Sequence, residues 1–320
     1  MRVRFWGTRG SLSAPLNAVQ VRDKVRRALA AAAQHGAPDV AGIDKFIDDH
    51  LGFEVAGTFG GNTSCVEIDG VGEDHVICDL GTGVREFGND FLRQQRADKS
   101  KTFHVFMSHL HWDHIMGFPF FVPAYIPGHR IEIYSCHDDV EAALRRQHGA
   151  PSFPVDFSQL GATINFHKLA PDQDHEIAGM TVRALKQHHE GDSYGWRFTH
   201  AGKVAVYSTD SEHKGQTEPS EAAFAEFFRG ADLVVFDAMY SLAETVSLKE
   251  DWGHSSNVLG VELASRAGAR RLALFHHEPN NDDAALVGIL NETRRFEELS
   301  RADGPPLEVI SAYDGLEIEL

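Results

Sequence analysis

Ser108-His109-Leu110-His111-Trp112-Asp113-His114 stands directly after Phe103–Met107, a short apolar run with the profile of a buried strand. His109, His111, Asp113 and His114 therefore cluster at a strand's carboxyl end, where α/β folds commonly place their sites. In extended backbone His109 and His111 project to the same side, because side chains alternate with period two. A turn after them brings Asp113 and His114 round to a second, adjacent point. Imidazole and carboxylate together suit a first-row divalent ion such as zinc or manganese. A chance cluster of polar residues at a surface turn is the bland alternative. An H-x-H-x-D-H run abutting a buried strand argues against it.

Outward from this stretch, strands are expected at Val3–Trp6, Thr63–Ile68, His75–Cys78, Arg130–Ser135, Thr163–Lys168, Met180–Gln187 and Gly195–Thr199. Further strands are expected at Val204–Ser208, Leu233–Ala238, Arg271–Phe275, Leu307–Ser311 and Leu316–Leu320, with a turn at Asp69-Gly70. Helices are expected over Val84–Gln95, Asp138–His148, Ser220–Arg229, Ser255–Ala267 and Asp282–Arg301. Between the first two strands the pattern is helical: Val21, Val25, Ala28, Leu29 and Ala32 recur at spacings of three and four until Gly36 and Pro38. A second helix follows, with Ile43, Phe46, Ile47 and Leu51 on one face. This reads as a helical insertion at about 17–52 within a single domain spanning 1–320. It is expected either to pack on the core or to serve as a lid or homo-oligomer contact. Strands with helices both between and after them give an α/β class in which helices sandwich the sheets.

The charge balance narrows the function. Among 320 residues, 47 Asp and Glu face 30 Lys and Arg, a net charge of −17. That surplus counts against a protein that holds long nucleic acid by neutralising phosphates. It leaves room for a small anionic substrate where a metal supplies local positive charge. No stretch approaches the roughly 18 uninterrupted apolar residues of a membrane span, and the opening alternates like a strand, so no signal peptide is expected. Cys65, Cys78 and Cys136 are too few and too widely spaced for a disulfide framework or a CxxC zinc knuckle. A cytoplasmic location is expected.

His109-Leu110-His111-Trp112-Asp113-His114 resembles the signature of the metallo-β-lactamase fold superfamily. The resemblance implies an αββα sandwich of two mixed sheets flanked by helices, with a site for two divalent ions, Zn2+ or Mn2+. It further implies His109, His111 and His189 on one ion, Asp113, His114 and His276 on the other, and Asp210 bridging them. His188 and His277 stay open as replacements for His189 and His276. Asp79, on a Gly-rich loop, is expected to orient a metal-bound histidine rather than to bind a metal itself.

Trp252-Gly253-His254-Ser255 and the opening Phe5-Trp6-Gly7-Thr8-Arg9-Gly10-Ser11 resemble the ribonuclease Z-like branch of that superfamily. There the resemblance implies a histidine, here His254, that faces the metals and serves phosphodiester cleavage. The alternative is a helix N-terminal residue beside a Ser255 cap. No long basic, Gly/Pro-rich arm is present to grip tRNA. The expected function is therefore hydrolysis of a small phosphodiester, such as a cyclic nucleotide. A metal-bridging hydroxide would attack, Asp113 and Asp210 would hold the ions, and His254 would protonate the leaving alkoxide. The competing readings are an ester, lactone or thioester hydrolase on the same ions, an RNA-processing nuclease, and a non-catalytic binding module. The full ligand set weighs against the last. Phe118, Phe120, Phe121 and Tyr125 could stack on a base, although core packing is the favoured reading. Arg9 and Arg197 are candidates for phosphate contact.

Overall fold

The computed structural model describes residues 1–69, 72–94, 100–212, 218–239, 254–301 and 304–320. The expected Gly70, Gln95, Trp252 and Gly253 features lie outside the described residues. Apolar residues alternating along the strands build two seven-stranded mixed sheets. In spatial order the first sheet is β14 (Glu317–Glu319), β1 (Arg2–Gly7), β2 (Cys65–Asp69), β3 (His75–Cys78), β4 (Thr102–Phe106), β5 (Arg130–Ser135) and β6 (Thr163–Lys168). The second is β13 (Glu308–Ser311), β12 (Arg271–Phe275), β11 (Leu233–Asp237), β10 (Lys203–Ser208), β9 (Ser193–His200), β8 (Met180–Gln187) and β7 (Asp174–Ile177). The sheets repeat one plan. Each begins as an antiparallel meander and continues as a parallel run, from β3 to β6 in the first and from β10 to β13 in the second.

Three apolar layers hold the sandwich together. Between the sheets Phe5, Val66 and Phe106 meet Val182, Trp196, Phe198 and Phe275. Outside the first sheet Ile77, Phe103 and Ile133 pack under α4 (Gly83–Arg93) and α6 (Val140–Gln147), through Phe87, Phe91 and Leu144. Outside the second, Val206, Phe236 and Leu274 pack under α7 (Glu218–Phe228) and α8 (Asn257–Arg266), through Phe228, Val261 and Ala264. Helix α9 (Asp283–Ser300) lies beside α8 and β13. This is the helix–sheet–sheet–helix order expected from the sequence.

The strand ends place the chemistry. Asp79 follows β3, Ser108 to His114 follow β4, and His189, Asp210 and His276 follow β8, β10 and β12, so every one of them sits at a carboxyl end. The turn within the H-x-H-x-D-H stretch is one helical turn, α5 (Trp112–Ile115).

The insertion differs from its periodicity reading. β1 and β2 are direct antiparallel neighbours, so the chain between them is an excursion. It carries α1 (Ala18–His35), α2 (Ile43–His50) and an unanticipated short α3 (Phe53–Ala56). Helix α1 has no buried residue. It turns Lys24 and Arg27 inward, the Lys24 ammonium donating to Glu54 O (2.6 Å), Gly57 O (2.7 Å) and Asp283 (2.5 Å), and Arg27 pairing with Glu54. Val21, Val25 and Leu29 face solvent, Leu29 at 66% exposure. Periodicity finds a shared face, but polar anchors decided which face turned inward. The edge strand β7 was also unanticipated, because Asp174-His175-Glu176-Ile177 is poor in strand-forming residues. No described helix is long and apolar enough to cross a membrane.

Candidate dinuclear metal centre

Among the described residues, ligand atoms gather at these strand ends in two main groups, and His254 forms two further groups at their edge, with His189 and Asp210 and with Asp237 and His276. His109, His111 and His189 form one main group, and Asp113, His114, Asp210 and His276 the other, with each group's ligand atoms within 4.8 Å of one another. Asp210 stands between them. Its Oδ2 lies 3.7 Å from the Nε2 of both His109 and His189, and its Oδ1 lies 3.2 Å from His114 Nε2 and 3.3 Å from His276 Nε2. Asp113 Oδ2 lies 3.1 Å from His276 Nε2 and accepts the Ser11 N–H at 2.7 Å.

The backbone is bent to hold this arrangement. Asp79, Asp210 and His276 all adopt positive φ, at 61°, 48° and 60°. Non-glycine residues in that region are uncommon and collect at functional sites. Gly10 lets the first loop approach: a Cβ there would come within 2.4 Å of His276 Nδ1.

The donor chemistry fits divalent ions. His109 Nε2 is buried without a hydrogen-bond partner. Nε2 of His114 and Nε2 of His276 face each other at 3.3 Å, against two carboxylates. Imidazole and carboxylate donors gathered in this way suit divalent cations. Burial holds His109 well below the usual imidazole range, so it is the neutral form that ligates. Burial opposes ionisation of Asp113 and Asp210, but the rings of His114 and His276 outweigh it and hold both well below the usual carboxylate range. Divalent ions are also what this fold implies.

The paired histidines separate by environment. His188 is exposed and lies in neither group. His277 is buried, donates from Nε2 to Ala312 O at 2.8 Å and packs edge-on to Phe59. Burial pushes its pKa down to about 3, which keeps it a neutral structural ring.

Around the ligands lies a buried polar shell. Asp79 accepts from Ser108 N (2.7 Å), Ser108 Oγ (2.6 Å) and Tyr207 Oη (2.8 Å), and its Oδ2 meets His114 Nδ1. His254 reaches the cluster too, its ring 5.0 Å from that of His276 and 5.3 Å from that of His189. Asp237 Oδ2 faces His254 Nδ1 at 2.9 Å and also accepts from Ser211 N. Burial lowers the His254 pKa, but Asp237 and Asp210 outweigh it and raise it to about 9. The N-cap of α8 is Ser256, not Ser255, whose hydroxyl donates to Ser211 O. Sequence reasoning missed Asp237. The signal for it was a carboxylate ending the apolar strand Leu233-Val234-Val235-Phe236.

Other candidates take structural roles. The Arg9 guanidinium is buried on Gly60 O, Glu278 O and Asn281 O. Arg197 donates to Phe227 O and Arg229 O at the end of α7. Phe118 and Phe121 are buried, Tyr125 donates to Pro119 O, and Phe120 packs on Phe153.

Comparison with known proteins agrees with this geometry. A model of the beta-lactamase superfamily domain matches residues 75–277, more than half of the chain. A protein named ribonuclease Z from Ignicoccus hospitalis is 27% identical over 280 residues, covering 72% of this chain and 85% of that one. The metallo-beta-lactamase fold protein YhfI from Bacillus subtilis superposes with a TM-score of 0.63 at 17% identity, covering 99% of this chain and 98% of that one. A diphosphatase from the PhnP family superposes at 0.60 with 19% identity, covering 100% and 97%. The chain therefore belongs to the beta-lactamase superfamily domain family, as a hydrolytic enzyme of the metallo-β-lactamase fold.

Proposed function

We propose that this hydrolase cleaves a small anionic phosphodiester, such as a cyclic nucleotide. The observation that carries the reading is His254, held by Asp237 against both ligand groups. A thioester hydrolase has no need of such a ring, because a thiolate departs without a proton, whereas the alkoxide expelled from a phosphodiester needs an acid. Two divalent ions, zinc in our reading, would be held by His109, His111 and His189 and by Asp113, His114 and His276, with Asp210 shared. When bound they would supply an activated water and positive charge for the phosphoryl oxygens.

The chain's own residues do the rest. Asp237 accepts a hydrogen bond from His254 Nδ1–H and so fixes the ring with its other nitrogen as the donor to the leaving alkoxide. Asp79 orients His114, and Ser11 N–H steadies Asp113. The net charge of −17 favours a small substrate over a long polyanion. Relatives named ribonuclease Z support a second reading, an RNA-processing nuclease.

The test is a substrate panel on protein loaded with zinc or manganese: a cyclic nucleotide, bis(p-nitrophenyl) phosphate, a lactone, a thioester and a precursor tRNA. Turnover led by the cyclic nucleotide supports the proposal. Turnover led by the lactone, thioester or precursor tRNA refutes it.

A further inference from the structure

We propose that Trp112 is the platform on which the substrate of this enzyme lays a planar nucleobase, with Leu12 as its apolar neighbour across the Ser11–Asp113 hydrogen bond. The inference rests on the phosphodiesterase reading and names the substrate class within it. Trp112 lies between His111 and Asp113, each a member of one ligand group. It is 77% exposed, whereas Trp6 and Trp196 are buried. Leu12 is 61% exposed and follows Ser11, whose N–H donates to Asp113 Oδ2 at 2.7 Å. That bond stitches the two loops together, so an exposed indole and an exposed isobutyl group each stand one residue from it.

The cluster opens to solvent on this side. His109, Asp113, His114 and His276 are buried, while His111 is exposed and lies next to Trp112. A substrate whose phosphate reaches the ligand groups past His111 therefore meets the indole with the part of it that extends outward. Among the aromatic residues that follow in sequence, Phe118 and Phe121 are sealed in the core, and Phe120, itself 55% exposed, stands farther along the chain from the ligands and packs edge-on to Phe153. The exposed indole beside a polar centre offers an apolar face that a ligand can cover. Its face suits a flat ring, and stacking tolerates any base because every base presents a π face.

The test compares two five-membered cyclic phosphodiesters with one reacting centre, adenosine 2′,3′-cyclic phosphate and the base-free glycerol 1,2-cyclic phosphate. In Trp112→Ala the KM for the adenosine substrate should rise roughly 5- to 150-fold, the worth of one base–aromatic stack. The base-free substrate should change less than about twofold, because the lost contact never touched it. Metal content should match wild type. Trp112→Phe should recover part of the loss. An equal change on both substrates, or none on the adenosine substrate, overturns the proposal. A second readout needs no turnover: acrylamide quenching of the fluorescence that Trp112→Phe removes. Adenosine 5′-monophosphate should shield that signal and ribose 5-phosphate should not. If wild type turns over neither diester, the phosphodiesterase reading fails, and the shielding result alone then decides the platform, equal shielding by both ligands or by neither overturning it.

Discussion

Asp79 Oδ2 and His114 Nδ1 lie 2.7 Å apart with both side chains fully buried, and this contact sets which nitrogen His114 turns toward Asp113, Asp210 and His276. With Asp79 accepting, Nδ1 carries the hydrogen and Nε2 offers its lone pair. Carboxylate partners of this kind raise the basicity of a ligand and typically govern about 10–100-fold of metal affinity. Asp79→Asn should therefore weaken metal binding by that order while the fold persists. Competition against a chelator of known affinity measures it, and unchanged affinity would show the contact to be structural only.

Gly10→Ala should act on one ion and spare the other. The new Cβ would fall 2.4 Å from His276 Nδ1 and 2.5 Å from its Cε1, so the ring must leave the second ligand group. His109, His111 and His189 are untouched. Stoichiometry should drop from about two ions to about one, the number left when one site of a two-ion centre is lost. Gly288→Ala, in α9 with open space around it, is the control and should leave metal content alone. Two full ions in Gly10→Ala would contradict the placement of His276.

Adding metal should stabilise the fold, because the two ligand groups are assembled only in the native state. Binding to the native state alone contributes about 4 kcal/mol when free ion stands at 1,000 times its dissociation constant. Thermal unfolding with and without a chelator reads this directly. A melting temperature indifferent to chelation would count against a built site.

Asp314 gives a pH dependence away from the metals. Its carboxylate accepts from Gly61 N, Asn62 N and Asn62 Nδ2, yet burial outweighs these bonds and pushes its pKa up from 3.8 to about 6. Over that window the folded state holds a proton that the unfolded chain has released. Its contribution to stability is therefore full below the unfolded value and is lost as pH rises through about 6. The stability of wild type relative to Asp314→Asn should fall between about pH 4 and 6. A relative stability that rises over the same range would show that the loop prefers the carboxylate.

Much of this architecture was legible in the residues alone. Strands such as Arg130–Ser135 and Met180–Gln187 carry β-branched or aromatic residues in a clear pattern, and their expected bounds agree with those of β5 and β8. The H-x-H-x-D-H stretch was readable because period two sets His109 and His111 apart from Asp113 and His114 beyond the turn. The structure brings these residues together with His189, Asp210 and His276. Two things were hidden, each for a physical reason. Asp237 ends an apolar strand and has no motif spacing, since its partner His254 is met through space. The inward face of α1 was set by Lys24 reaching backbone carbonyls, and periodicity weighs only apolar residues.

The most direct test of the account is the leaving-group dependence of His254→Ala, measured as kcat/KM on an alkyl phosphodiester and on bis(p-nitrophenyl) phosphate, with bound metal counted in both proteins. General acid catalysis typically contributes about 10²–10⁴-fold. The account predicts a loss of that order on the alkyl substrate and a much smaller one on the nitrophenyl ester, whose anion departs without a proton, with metal content unchanged. Equal and small losses on both substrates would contradict it, leaving His254 a structural ring and removing the case for phosphodiester chemistry.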